Sequence, residues 1–287
     1  MAIPPRDQAP PRAVPVPEEL LELARATAAE AARLVAGGQA TAGVGADTKS
    51  SPVDVVTAVD RACEELVVRR LTTARPDDGV LGEEGASRTG SSPVRWVVDP
   101  IDGTTNFLYG LPCYAVCIAA QVVGGPDDGE VVAGVVHDVA TGEVFTAARG
   151  RGAWLTRPGA APQRLSGPVA TGLDRALVGT GFGYASALRR REGAIVAELL
   201  PQVRDIRRLG SAALELCAVA AGRLDAFYEL DLHPWDHAAA GLVVQEAGLV
   251  LAGLPGRPVG EPMVLAAGPG LIGPFTALLA ELVERHP

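Results

Sequence analysis

Two acidic residues at the end of an apolar strand are the first feature of this chain that indicates chemistry. Residues 96–107 read WVVDPIDGTTNF, so Asp99 and Asp102 follow apolar residues and precede a Gly-Thr turn. Hard divalent cations bind carboxylate and carbonyl oxygens. Asp99, the Ile101 carbonyl and Asp102 are therefore suited to hold two ions about 4 Å apart, as in two-metal phosphatases. Gly103 lets backbone N–H groups approach an anionic oxygen.

The same residues have a second interpretation, in which they only form a turn. Asp-Pro and Asp-Gly are common turn dipeptides, and an acid often begins the turn after a strand. Two further acidic segments favour the metal site. Glu83 and Glu84 follow an apolar pair of residues, and Asp236 stands where a helical pattern begins, a position that also suits an N-cap acid.

These segments resemble the inositol monophosphatase family, whose members read Gly-Glu-Glu, then Asp-Pro-Ile-Asp-Gly-Thr, then Trp-Asp before a helix. Segments that begin at Lys49, Thr57 and Gly210 also fall in the family's order, and the resemblance covers about residues 18–285. It implies an α/β (α+β) fold, a layered α-β-α-β-α sandwich of the inositol monophosphatase and fructose-1,6-bisphosphatase type. Residues 18–160 would form a half that carries most metal ligands, and residues 161–287 a half that carries Asp236 and the substrate contacts.

The resemblance also implies a catalytic role for each acidic group. Two or three Mg²⁺ ions would be held by the carboxylates and one carbonyl, with Asp99 bridging two of them: Glu83, Asp99, Ile101, Asp102 and Asp236. Thr104, hydrogen-bonded to Asp60, matches the family's pair that orients the attacking water, and Glu83 completes the catalytic set. The phosphate would be positioned by the ions and by the N–H groups of Gly103 and Thr104, without a phosphoenzyme.

Contacts to the rest of the substrate are implied in the same way. The matching residues are Asp102, Gly103, Thr104, Gly210, Ser211, Ala212, Glu229 and Asp236. Glu229 matches the acid that binds a ring hydroxyl of inositol; the alternative is that it ends a strand and faces solvent. Lys49, the only lysine, matches a flexible loop that closes over the metals and phosphate; the alternative is chance survival in a chain that otherwise uses arginine.

The implied activity is Mg²⁺-dependent hydrolysis of myo-inositol 1-phosphate and related polyol phosphates by a lithium-sensitive homodimer. The same chemistry on histidinol phosphate, fructose 1,6-bisphosphate or 3′-phosphoadenosine 5′-phosphate stays open. A substrate with a second phosphate needs extra basic residues, and no arginine immediately flanks the segment 229–236. A third hypothesis, from another class, is a regulatory protein partner of the RNA machinery.

Composition agrees with an enzyme that acts on a small molecule. The 287 residues are 48% hydrophobic and 21% charged, with a formal net charge of −9, which disfavours direct nucleic-acid binding. The short basic runs 189–191 and 204–208 are interpreted as solvated faces. Residues 1–17 contain six prolines and no apolar core, so we expect a disordered tail rather than a signal peptide, and a cytoplasmic protein. Gly and Pro interrupt the long uncharged stretches, which favours buried strands and a short helix over a membrane span.

The elements that must position these residues follow from periodicity and turn signals. The predicted helices are 18–36, 59–74, 188–200, 211–221, 235–247 and 271–285, and the predicted strands are near 80 and at 95–99, 114–123, 131–138, 143–148, 152–155, 176–179, 226–229 and 263–266. Turn residues at 124–129 indicate an antiparallel meander. Cys113 and Cys117 are expected on one strand about 13 Å apart, so all four cysteines should be reduced.

Overall fold

The computed structural model describes residues 16–38, 47–48, 55–124, 129–168 and 172–287. The expected tail therefore lies almost entirely outside the described residues, and Lys49 lies outside them as well. The helices are α1 Pro17–Gly38, α2 Ala58–Ala74, α3 Thr104–Tyr109, α4 Ser186–Leu199, α5 Ala212–Ala220, α6 Pro234–Glu246 and α7 Ile272–Arg285. The strands are β1 Asp47–Thr48, β2 Val55–Val56, β3 Gly79–Gly82, β4 Ser87–Arg88, β5 Val94–Asp102, β6 Ala115–Val122, β7 Val131–Asp138, β8 Val144–Ala148, β9 Ala153–Thr156, β10 Gln163–Arg164, β11 Leu177–Thr180, β12 Asp205–Arg207, β13 Ala226–Leu230, β14 Val250–Ala252 and β15 Met263–Ala267.

The larger sheet is covered by helices on both faces. Its strand order is β10-β9-β8-β7-β6-β5-β3-β4. Side chains alternate between the faces of a strand, and accordingly Trp96 and Val98 pack in the core that includes α1 and α2, while Val97 packs in the core that includes α5 and α6. Burial on both faces explains why β5 reads as a nearly continuous apolar run.

The smaller sheet has the order β12-β11-β13-β15-β14. Phe227 and Val264 face the same core as α5 and α6. Tyr228 and Leu265 face a third core with α4 and α7. The layers are thus α1/α2, the eight-stranded sheet, α5/α6, the five-stranded sheet and α4/α7, which confirms the expected α-β-α-β-α sandwich.

Three local expectations need correction or stay open. Strand β6 begins at Ala115, so Cys113 lies before it and not on it, although all four cysteines are free as expected. Strands β3 and β5 are parallel, so the first sheet is not a pure antiparallel meander. The division into halves at residue 160 stays a prediction. Within the described residues, no helix is long and apolar enough to cross a membrane.

Candidate active site

The end of strand β5 presents two carboxylates to one cavity because the strand is irregular there. Residues three apart on a regular strand point to opposite faces. Asp99 pairs with Cys117 and Asp102 with Ala115, so three steps on β5 oppose two on β6. The extra residue on β5 brings the side chain of Asp102 back to the side of the strand that Asp99 occupies. Asp99 and Asp102 therefore line the same cavity. Pro100 is tolerated at such a bulge, because it has no N–H to donate.

Glu83 reaches the same place through the parallel pairing of β3 with β5. Gly82 is in register with Val98, and the Glu83 N–H donates to the Val98 carbonyl at 3.2 Å. The residue after Gly82 is Glu83, and the residue after Val98 is Asp99. These two acids therefore lie side by side near the end of the paired segment. The charge of Glu83 is one of the causes that raise the pKa of the buried Asp99 carboxyl.

The fourth acid comes from the second half of the chain. Asp236 lies in the first turn of α6, where its Oδ2 accepts the backbone N–H of His233 at 2.6 Å. His233 is the N-cap and Asp236 the third helical residue, so the expected N-cap assignment was wrong by three positions. Its carboxylate still satisfies a backbone donor at the helix start, as capping-box acids do.

These acids line one cavity of about 420 Å³. It lies between the ends of β5 and β13 and the starts of α3 and α6. The lining residues are Glu83, Asp99, Ile101, Asp102, Gly103, Thr104, Thr105, Gly181, Phe182, Gly183, Tyr184, Ala185, Arg208, Gly210, Ala212, Glu229, Leu230, Asp231, Leu232, His233, Trp235 and Asp236. The structure thus gathers every predicted metal ligand and all the predicted substrate contacts except Ser211.

Electrostatic repulsion is concentrated in this cavity. Burial raises the pKa of Asp99 well above its usual value, and the charges of Glu83, Asp102 and Asp236 raise it further. Burial also raises the pKa of Asp102 to about 6. Hydrogen bonds limit that rise, because Asp102 Oδ2 accepts the Ser211 hydroxyl at 2.5 Å and the Ala213 N–H at 2.8 Å. Ser211, outside the cavity lining, therefore orients an acid within it.

Thr104 and Asp60 form the expected hydrogen-bonded pair. The Thr104 hydroxyl lies 3.1 Å from Asp60 Oδ1 and 3.0 Å from the Ile101 carbonyl oxygen. Asp60 is fully buried, and its Oδ2 accepts the backbone N–H of Thr57 at 2.8 Å, which closes a capping box at the start of α2. The acid that begins this helix therefore also fixes the Thr104 side chain.

Gly103 fits where a larger residue would not. Its φ of 94° lies in the left-handed region, which other residues rarely adopt. An added Cβ would lie 2.9 Å from the Cys113 carbonyl oxygen and 3.0 Å from that of Gly210. The turn that begins α3 can therefore pack against the loop of Gly210 only with glycine here.

Glu229 faces the cavity, not the solvent. It lies on β13, and burial together with the nearby acids raises the pKa of its carboxyl well above the usual value. An added Cβ on Gly181 would lie within about 2 Å of this carboxylate, so glycine at that position provides the room that Glu229 occupies. The alternative in which Glu229 ends a strand facing solvent does not fit this position.

Comparison with known proteins accounts for this arrangement. A family model described as the inositol monophosphatase family matches residues 16–287. The inositol-1-monophosphatase of Mycobacterium bovis is 46% identical, and the match covers 94% of this chain and 97% of that protein. This chain belongs to the inositol monophosphatase family. It is also 38% identical to the Nus factor SuhB of Escherichia coli, over 83% of this chain and 86% of that protein.

Structural comparison agrees with this assignment. The solved structure of Mycobacterium tuberculosis SuhB matches with a TM-score of 0.79 and 41% sequence identity, over 94% of this chain and 98% of that one. The chain is therefore a phosphatase of the inositol monophosphatase family.

The donor set of this family member fits a hard divalent cation. All the acidic groups are oxygen donors, and Mg²⁺ prefers carboxylate, carbonyl and water ligands. The charges of Glu83, Asp102 and Asp236 raise the pKa of Asp99, and a bound cation would compensate this repulsion. No three acidic, histidine or cysteine side chains in the described part of the chain already converge closely enough to hold an ion. The carboxylates would have to turn toward one another to bind one.

Some cavity residues were not found from the sequence. Arg208 lies in a basic run that was interpreted as solvated, yet it lines the cavity together with Glu229. Phe182 and Tyr184 line it from the loop after β11, and His233 and Trp235 stack with their ring centroids 5.0 Å apart at its rim. The sequence signals were the basic run, the aromatic residue beside Asp236 and the segment 180–184, which falls where family members place a further polyol contact but does not align with them residue by residue.

Proposed function

We propose that this protein is a Mg²⁺-dependent phosphomonoesterase that hydrolyses myo-inositol 1-phosphate and related polyol phosphates. The observation that carries the proposal is the convergence of four acids, one threonine and a half-buried glutamate on one cavity, with Asp60 holding the threonine from behind: Glu83, Asp99, Asp102, Asp236, Thr104 and Glu229. The cavity volume suits a substrate of this size, and the many carboxylates beside the Thr104 hydroxyl suit metal-assisted hydrolysis.

The proposed ligands of the ions come from both halves of the chain. Glu83, Asp99 and the Ile101 carbonyl would hold one ion, and Asp99, Asp102 and Asp236 another. When bound, Mg²⁺ would neutralise charge on the phosphate and leaving alkoxide and lower the pKa of a water nucleophile. The hydrogen bonds from Ser211 and Ala213 would keep the Asp102 carboxylate oriented as a ligand.

The role proposed for Thr104 follows from its single hydroxyl proton. Asp60 Oδ1 and the Ile101 carbonyl compete for that proton. With the Ile101 carbonyl reserved for a cation, the Thr104 hydroxyl would donate its proton to Asp60, and its oxygen would accept a hydrogen bond from water. This orients the water for in-line attack on phosphorus, with the phosphate beside the backbone of Gly103.

Removing Mg²⁺ should destabilise the protein. Because several buried carboxylates repel one another without a cation, binding should stabilise the folded state. A Mg²⁺ concentration of about one hundred times Kd contributes about 2.7 kcal/mol, which corresponds to about 5–10 °C in the melting temperature of a protein this size. Differential scanning calorimetry with Mg²⁺ and with a chelator measures this shift. An unchanged melting temperature in millimolar Mg²⁺ would contradict the metal site, and Asp102→Asn should lose most of the shift.

Glu229→Gln should affect binding of the polyol more than the chemical step. A hydrogen bond between a carboxylate and a ring hydroxyl contributes about 1.4 kcal/mol or more to binding. Its loss should therefore raise KM for myo-inositol 1-phosphate about tenfold. Glycerol 2-phosphate has no ring, so its KM should change less than about threefold. Steady-state kinetics with both substrates tests this. Equal effects on the two substrates would remove Glu229 from ring recognition.

A second candidate keeps the chemistry and changes the substrate. Arg208 lines the cavity, and in the described part of the chain no residue within salt-bridge distance pairs with it. An unpaired guanidinium favours a second anionic group on the substrate, as in fructose 1,6-bisphosphate or 3′-phosphoadenosine 5′-phosphate. The acid-rich surroundings, with Glu229 and Asp231 also in the lining, favour the neutral polyol and keep inositol 1-phosphate first.

Two further family properties belong to the proposal. Inhibition by Li⁺ and a homodimer come with the family resemblance. Tyr109 is 79% exposed and Leu111 53% exposed beside each other, which suits a face buried between subunits.

The relative named Nus factor SuhB supports the alternative of a regulatory partner. The variant Asp102→Asn separates an enzymatic role from a regulatory one, because a regulatory scaffold would keep its cellular role without catalysis.

A further inference from the structure

Three glutamates, each on a different helix, hold three loops of the cavity wall by their backbone N–H groups. The first is Glu64 on α2, which is 7% exposed. Its Oε1 accepts the N–H of Glu84 at 2.9 Å, and its Oε2 accepts the N–H of Ala86 at 3.0 Å. Because Glu83 lies within the turn 82–86, this carboxylate fixes the backbone that carries a proposed metal ligand.

Glu192 on α4 does the same for a second loop. It is 4% exposed, and both of its carboxylate oxygens lie 3.1 Å from the N–H of Gly183. Residues 181–185 all line the cavity, and Gly181 provides the room for Glu229. The wall opposite the metal ligands is therefore attached to α4 through one carboxylate.

Glu215 on α5 holds the third loop. It is 1% exposed, and its Oε1 accepts the N–H groups of Leu209 at 2.7 Å and Gly210 at 3.1 Å. Its Oε2 is buried without a hydrogen-bond partner among the described residues. Burying a carboxylate with half of its acceptors unused is costly, so stability alone does not account for an acid at this position.

The glutamates fit closely against neighbouring glycines. An added Cβ on Gly82 would lie 2.1 Å from Glu64 Oε1, and one on Gly179 would lie 2.6 Å from Glu215 Oε2. Glycine at these two positions leaves the space that the carboxylates occupy, so each carboxylate can approach the backbone closely.

We propose that Glu64 and Glu215 are positioning residues that set the geometry of the cavity without touching the substrate. Glu64 acts through Glu83 on metal binding, whereas Glu215 acts through the loop of Gly210 on the substrate. This inference rests on the proposed function for its kinetic readout. Because the roles differ, loss of one glutamate should weaken Mg²⁺ binding and loss of the other should raise KM. A general loss of stability would not produce this difference.

The chain contains a matched control. Glu246 at the end of α6 also accepts two backbone N–H groups, from Gly150 at 2.8 Å and Gly152 at 2.7 Å. Neither it nor those glycines belong to the cavity lining. Glu246→Met therefore removes the same kind of loop anchor elsewhere in the fold.

The experiment compares Met variants at 64, 215 and 246 with Glu215→Gln. Methionine has the length of glutamate but accepts no such hydrogen bond, whereas glutamine keeps one oxygen that can accept both N–H groups held by Glu215. Mg²⁺ affinity is measured by isothermal titration calorimetry, KM and kcat with myo-inositol 1-phosphate, and unfolding by calorimetry.

Glu64→Met should weaken Mg²⁺ binding about tenfold or more, as loss of an outer support for a ligand does. Glu215→Met should raise KM about tenfold, with kcat and Mg²⁺ affinity changed less than about threefold, and Glu215→Gln should restore KM. Glu246→Met should leave all three quantities near wild type even if its melting temperature falls.

Two results would overturn the inference: Mg²⁺ affinity and KM that change only in proportion to the melting temperature, or a Glu246→Met variant that matches the other two. If Glu64→Met does not fold, Gly82→Ala displaces the same carboxylate from the other side and should weaken Mg²⁺ binding likewise. If the wild type binds Mg²⁺ but does not hydrolyse inositol 1-phosphate, the proposed function fails, and the calorimetric comparison still decides the role of Glu64.

Discussion

Replacing Asp99 by asparagine is expected to lower kcat/KM at least about a thousandfold, since a bound metal provides several kcal/mol of transition-state stabilisation. The same substitution should raise the melting temperature of the metal-free protein. Burial and repulsion from Glu83, Asp102 and Asp236 penalise the Asp99 charge. Asparagine removes that charge, keeps an oxygen for the Ile101 N–H now accepted at 3.0 Å, and offers an N–H to Glu83.

Activity and metal-free stability should therefore change in opposite directions, a combination that a damaged fold does not produce. Phosphate release and calorimetry in a chelator measure the two quantities. Asp138→Asn is the control: Asp138 is also buried and accepts two turn N–H groups, from Ala140 and Thr141, but lies outside the cavity. An active Asp99→Asn enzyme would remove this residue from the metal site.

Replacing Thr104 by valine should reduce kcat by about a hundredfold to a thousandfold, the usual scale for a group that positions or activates the nucleophile. Valine keeps the branched shape and loses only the hydroxyl, which lies 3.1 Å from Asp60. Binding of Mg²⁺ should persist, because Thr104 is not a proposed ligand through its side chain. Single-turnover kinetics at saturating Mg²⁺ isolates the chemical step.

Thr104 and Asp60 should act as a unit. The double variant Asp60→Asn with Thr104→Val should be no slower than the slower single variant, as expected for residues that depend on one interaction. Thr146→Val, at a buried position on β8 outside the cavity, controls for the loss of a threonine hydroxyl. Multiplicative effects of the two single variants would mean that Thr104 and Asp60 have independent roles.

Much of the fold was predictable, because the family resemblance spans nearly the whole chain and the strongly periodic elements agree with it. Helices α1 and α2 begin and end within two residues of the prediction. The boundary at Cys113 failed because an apolar residue before a strand looks the same as one within it. Asp236 was misplaced by three positions, since acids are favoured both at the N-cap and in the first helical turn.

That the acids of the cavity lie together was expected only from the family resemblance. Spacing alone puts Asp99 and Asp102 on opposite faces of a strand, and the bulge that reunites them depends on pairing with β6. Arg208 in the lining and the anchor Glu215 depend on contacts between distant segments, which periodicity does not encode. The catalytic and metal-binding roles of the site residues stay predictions, and Lys49 lies outside the described residues.

The most direct test of the account is phosphate release by the purified full-length protein in Mg²⁺, measured as kcat/KM for four substrates: myo-inositol 1-phosphate, histidinol phosphate, fructose 1,6-bisphosphate and 3′-phosphoadenosine 5′-phosphate. Each measurement is repeated with Asp102→Asn and with a chelator. The account predicts that inositol 1-phosphate is the preferred substrate and that both controls abolish its hydrolysis. Preference for another substrate by about tenfold, which is about 1.4 kcal/mol, would contradict the role of Glu229, and turnover that survives in the chelator and in Asp102→Asn would contradict the metal site itself.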